Sequence, residues 1–98
     1  MKSVILHCEA NVEFTTVAKR YSFQRPELAH DFLPAFRIAK DAIAESPQRF
    51  SFLEKPVRRI RISGFPYRIV YEELEDCIHV LAIMHDNREP GYWKGRLS

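Results

Sequence analysis

The chain has 98 residues, 46% of them hydrophobic, with a formal net charge of +2. A chain this short makes one domain over residues 1–98 and buries only about two-thirds of the surface that its unfolded form exposes, so its core is expected to be thin. The composition argues against disorder, and the small charge excess against a dedicated nucleic-acid binder. No apolar run is long enough to span a bilayer, and Cys8 and Cys77 stand outside any CxxC pairing, so a soluble protein of a reducing cytoplasm is expected.

In chain order, "VILH" at residues 4–7 is a short β-branched run and reads as a strand. From about Glu9 to Gln24 the apolar positions Ala10, Phe14, Val17, Ala18 and Tyr21 recur at helical spacing on one face. Pro26 ends that segment, because it lacks an amide proton and pushes Arg25 toward extended geometry. A second stripe, Leu28, Phe32, Phe36, Ala39 and Ile43, predicts another helix that stops at Ser46-Pro47. Pro34 lies within this stripe, and a start near His30 or Asp31, with Asp31 as N-cap, would put it among the unpaired first amides.

The period then changes. "VRRIRI" at 57–62, "YRIVY" at 67–71 and "CIHVLAIMH" at 77–85 read as strands, with turns at Ser63–Pro66 and Glu73–Asp76. The expected architecture is α+β in the order β-α-α-β-β-β: a helical hairpin on one face of a three- to four-stranded antiparallel sheet. Strand alternation places Ile60 and Ile62 with Arg58 toward the helices and Val57, Arg59 and Arg61 on the other side, expected to be the open one.

The four histidines show no HxxxH or HExxH spacing, so no metal site is expected; no nucleophile elbow, P-loop or GxGxxG occurs, which sets aside hydrolase, kinase and dehydrogenase chemistry and any cofactor. His79 alternates within an apolar strand and reads as a satisfied, half-buried residue, and Glu72, Glu73, Glu75 and Asp76 read as a solvated turn. From Lys55 to Tyr71 there are five basic residues and no acidic one. Arg59 and Arg61, joined by Arg68, can contact nucleic-acid phosphates, position a scissile ribose phosphate or meet an acidic protein; the alternative is a sheet face kept soluble by charge. In the closing stretch, Pro90-Gly91 enforces a turn that returns Tyr92 and Trp93 to the sheet, where burial of the indole would tie down the terminus.

The segments "RPELAHDFL", "ESPQRF", "VRRIRISGFPYRIVYEE" and "VLAIMHDNREPGYWKGRL", in this order, resemble the RelE/ParE superfamily of small toxins from type II toxin–antitoxin systems, and most of all its ParE, or plasmid stabilisation, branch. The most specific piece is the tail pattern of His85, Arg88, Pro90, Trp93 and Arg96; Asp86-Asn87 stands where the family's usual dipeptide is more basic. The resemblance implies a toxin neutralised by a cognate antitoxin, whose disordered C-terminal segment folds across the groove between hairpin and sheet. The assembly would be a homodimer or a toxin–antitoxin heterotetramer.

It further implies either a ParE-like block of DNA gyrase without enzymatic activity, or a RelE-like, metal-independent cleavage of ribosome-bound mRNA. For the second, Arg61, Arg88 and Tyr92 would be the catalytic set. A degenerate member that retains only antitoxin binding is a third possibility. The candidate target- or partner-binding residues are Arg59, Arg61, Arg68, His85, Arg88, Trp93 and Arg96.

Overall fold

The computed structural model describes residues 1–98. Strand β1 (Ser3–Leu6) leads into helix α1 (Cys8–Gln24) and helix α2 (Pro26–Glu45), followed by β2 (Phe52–Glu54), β3 (Val57–Arg61), β4 (Tyr67–Glu73), β5 (Cys77–His85) and a terminal 3-10 turn over Lys94–Arg96. The strands form one sheet in the order β1-β5-β4-β3-β2. The α+β class and the helical hairpin are therefore as the sequence predicts.

The sheet itself is larger than the expected three- to four-stranded antiparallel one. It has five strands and is mixed, because β1 pairs parallel to β5 from Ser3 opposite Cys77 to Leu6 opposite Val80. The added strand, β2, has three residues and pairs irregularly with β3, so it carries no alternation for a sequence reading to find.

Helix α2 also corrects an expectation. It starts at Pro26 and not near Asp31, with Arg25 as an extended N-cap at φ −158° and ψ 131°. Proline suits the first helical position because its absent amide proton would have no partner there and its ring presets the backbone angle. Pro34 lies in the helix interior, where it costs about 3 kcal/mol by removing one i→i−4 bond. Phe32, Phe36 and Ile43, all buried on the same helix, are worth roughly 1.5–3 kcal/mol each, so packing outweighs the defect and the helix runs through it.

The hairpin packs on the sheet through an aromatic layer. Phe14 lies 4.4 Å from Phe36 between ring centroids, and Phe32 meets Phe65 edge-on at 5.1 Å. Ile60, Ile62, Tyr67, Ile69, Tyr71, Ile78, Val80 and Ile83 supply the sheet's side of this core. Strand β5 carries an extra residue: Val70 pairs with Ala82 but Tyr71 pairs with Val80, which leaves Leu81 as a β-bulge. As a result Leu81 and Ala82 both face away from the helices, into a second core with Val57, Val70, Met84 and Trp93.

The side of the sheet that carries Arg59 and Arg61 is thus only partly open. The tail crosses it, Trp93 is 2% exposed, and Val57 beneath is buried. The acidic turn is corrected too. Glu72 is not solvated but 6% exposed; it lies 2.8 Å from His79 Nδ1 and accepts from the Ser98 backbone amide and hydroxyl at 3.1 and 3.0 Å. Strand β4 continues to Glu73, which confines the turn to Leu74–Asp76.

Candidate functional site

The cationic residues gather where β3 and β4 end beside the tail. Arg61 and Arg68 face each other across the β3–β4 pair, and Tyr67 faces His85 across β4–β5, so Asp86 emerges beside both arginines. Its backbone amide donates to the Pro66 carbonyl at 2.9 Å, which fixes the position. The Asp86 carboxylate then accepts from Arg61 at 3.1 Å and pairs with Arg68 Nε at 3.4 Å. Arg61 makes one further bond, to the Phe65 carbonyl at 3.1 Å.

Arg59 differs from both. It is half-buried, and its side chain has no hydrogen bond, ion pair or aromatic ring among the contacts of the fold. With Arg49, Arg61 and Arg68 it lines a cleft of about 320 Å³ beside Phe50 and Ser51. No carboxylate lines that cleft.

The tail residues form a second group. The Arg88 guanidinium lies 4.1 Å above the Tyr92 ring and that of Arg96 5.1 Å from the same ring, a cation–π arrangement. Arg96 bonds both oxygens of Glu13 on α1, at 3.0 and 3.2 Å, and the Leu81 carbonyl at 2.9 Å. Burial would lower its pKa, but the Glu13 hydrogen bond and charge prevail and raise it. Burial, with the Glu13 carboxylate beside it, pushes the Tyr92 phenol well above its ordinary value, so it stays protonated at any physiological pH.

His85 accepts the Asn87 amide through Nδ1 at 3.0 Å and sets its ring edge against Tyr67 at 5.0 Å. His85, Arg88 and Tyr92 border a cleft of about 220 Å³ whose other wall is α1, through Val12, Thr16 and Arg20.

The structure therefore sorts the sequence-nominated residues into three settings. Arg59, Arg61 and Arg68 share the sheet cleft; His85, Arg88 and Tyr92 share the cleft against α1; Trp93 and Arg96 lie inward, one in the second core and the other on Glu13. Three participants escape a sequence reading. Asp86 sits inside the tail motif and gives a signal by its charge, whereas Arg49 lies in an irregular segment and Glu13 on a helix 83 residues from its partner, so neither has a spacing to betray it. No group of three or more His, Cys, Asp or Glu side chains is placed to hold a metal ion, and no helix is long and apolar enough to cross a membrane.

Residues 4–90 fit the family model described as ParE toxin of type II toxin-antitoxin system, parDE. No curated protein matches the chain.

Proposed function

The chain belongs to the ParE toxin family of type II toxin–antitoxin systems, and on that premise we propose that it acts by binding and blocking DNA gyrase in the cytoplasm, without catalysing a reaction, and is neutralised by a cognate antitoxin. The observation that carries this reading is the state of the three groups that an mRNA endonuclease would need. Cleavage of an RNA backbone requires a base for the 2′-hydroxyl and unpaired cations at the phosphate. Arg61 is spent on Asp86, Arg88 is stacked on Tyr92, and the Tyr92 phenol is held protonated by burial, which makes it a poor base. What remains is a surface of arginines, aromatic edges and apolar side chains, suited to a protein partner.

The antitoxin fits the cleft between α1 and the tail. Val12 is 57% exposed there and Arg20 and Arg88 flank it, so an acidic amphipathic segment would cover the apolar surface and neutralise the cations together.

Purified protein added to gyrase and relaxed plasmid is expected to suppress supercoiling, and Arg61→Ala and Arg88→Ala to weaken that effect. Full supercoiling at large toxin excess would remove gyrase as the target. Codon-dependent cuts in mRNA on programmed ribosomes, lost in Arg61→Ala, would assign the RelE-like activity instead. Antitoxin binding without either effect would mark a degenerate member.

A further inference from the structure

Arg61 and Arg68 border the open sheet cleft, yet neither is free to receive a partner, because one carboxylate supplied by the tail holds both. Asp86 Oδ2 pairs with Arg61 at 3.1 Å and Oδ1 with Arg68 Nε at 3.4 Å, so a single side chain bridges guanidinium groups from β3 and β4. The other carboxylate bordering the space beneath the tail, Glu54, is paired with Lys94 at 3.2 Å and leaves the arginines to Asp86.

The backbone and the side chain of Asp86 are secured separately. Its amide donates to the Pro66 carbonyl at 2.9 Å, and the turn that follows is closed by the Arg88 amide on the His85 carbonyl at 3.0 Å. The side chain is held by the two arginines alone. The Arg61, Arg68 and Asp86 side chains are 48%, 28% and 30% exposed, so water competes for both pairs and each contributes little. Rotation of the Asp86 side chain therefore releases both arginines without disturbing the chain around them.

We propose that Asp86 is an autoinhibitory latch: it occupies Arg61 and Arg68 as an internal substitute for an acidic side chain of the target, and it must swing away before the target can use them. Arg59, which has no partner in the fold, stays available beside the closed latch and gives an approaching acidic surface its first contact. The apparent affinity of a partner falls in proportion to the fraction of molecules whose arginines are open. Pairs as exposed as these keep the latch closed roughly 70–90% of the time, which attenuates binding about three- to tenfold. The latch is a property of the chain itself; only its consequence for gyrase rests on the reading above.

Asp86→Asn removes the charge and keeps the backbone amide that bonds Pro66. Isothermal titration of the purified full chain with a hexaglutamate peptide, at low and constant ionic strength, is expected to show about three- to tenfold tighter binding by this variant. Asp41→Asn, an equal change of net charge at an exposed position of α2, is expected to leave the affinity unaltered. In a background of Arg61→Gln with Arg68→Gln, the gain from Asp86→Asn disappears. Circular dichroism establishes that each variant is folded. An equal gain from Asp41→Asn, a gain that survives the loss of both arginines, or no gain in folded Asp86→Asn would overturn the proposal. In the supercoiling assay, Asp86→Asn is expected to act at about three- to tenfold lower concentration than the unaltered chain. Suppression by neither protein would dismiss gyrase as the target, while the peptide titration still decides the latch.

Discussion

Replacing Arg96 with methionine tests what holds the tail on the fold. The substitution keeps the apolar stem and removes three hydrogen bonds, two to Glu13 at 3.0 and 3.2 Å and one to the Leu81 carbonyl at 2.9 Å. The two side chains are 13% and 20% exposed, so the pair is better shielded than an ordinary surface ion pair, though not fully desolvated. Bonds to charged groups contribute about 1.5–3 kcal/mol each. Glu13 keeps one partner after the change, the Ile83 amide at 3.0 Å, which limits the damage to roughly 2–4 kcal/mol.

Against a total stability of about 5–15 kcal/mol this is a large share. It corresponds to a fall in Tm on the order of 10–30 °C for a domain of this size. Urea unfolding followed by circular dichroism gives the loss, and a red shift of Trp93 emission shows whether the tail lifts first. Glu13→Gln, which keeps an acceptor for the Ile83 amide, completes a double-mutant cycle with an expected coupling of about 1–2 kcal/mol. A loss under ~0.5 kcal/mol for Arg96→Met, as for an exposed pair, or a cycle additive within ~0.3 kcal/mol, would refute the view that this clip secures the tail.

Pro34→Ala restores the missing bond inside α2 at an exposed position; the cost of about 3 kcal/mol is relieved, less about 1 kcal/mol for the freedom the unfolded chain regains, so the fold is expected to gain about 2 kcal/mol, read from the urea midpoint. Burial raises the Tyr71 phenol from 10.0 to about 12 and raises that of Tyr92 as well. Because the unfolded chain then loses these protons before the folded one does, their contribution to stability is complete below pH 10.0 and drains away as pH rises toward about 12, which thermal unfolding across that window checks. Conversely, hydrogen bonds from Gln48 and Lys2 depress the Glu73 carboxyl, so its contribution is present above 4.5 and lost as pH falls below it; Lys2→Met is expected to shrink that acid-side loss.

Periodicity carried most of the fold. The two helical stripes and the three long strands recur where the apolar spacing put them, because each element buries one face and its sequence records which. What the spacing could not convey were matters decided by distant contacts. Strand β1 becomes a parallel edge only because β5 offers it a partner 74 residues away. A local rule about Pro34 puts the start of α2 near Asp31, whereas the burial of Phe32 and Phe36 outweighs that rule and the helix begins at Pro26. At the candidate site, the residue types were legible but their pairings were not. Charge alone cannot tell that Asp86 would occupy Arg61 and Arg68 while Arg59 stays unpaired.

The extra residue at Leu81 inverts the odd–even rule halfway along β5. Before it, even-numbered side chains such as Ile78 and Val80 serve the helices; after it, Ile83 does, and the even-numbered Ala82 and Met84 serve the tail. Tolerance to substitution is therefore out of step between the two halves of one strand. A one-residue deletion there would exchange the clientele of Ile83 and Met84 at a stroke, setting both packing layers against each other.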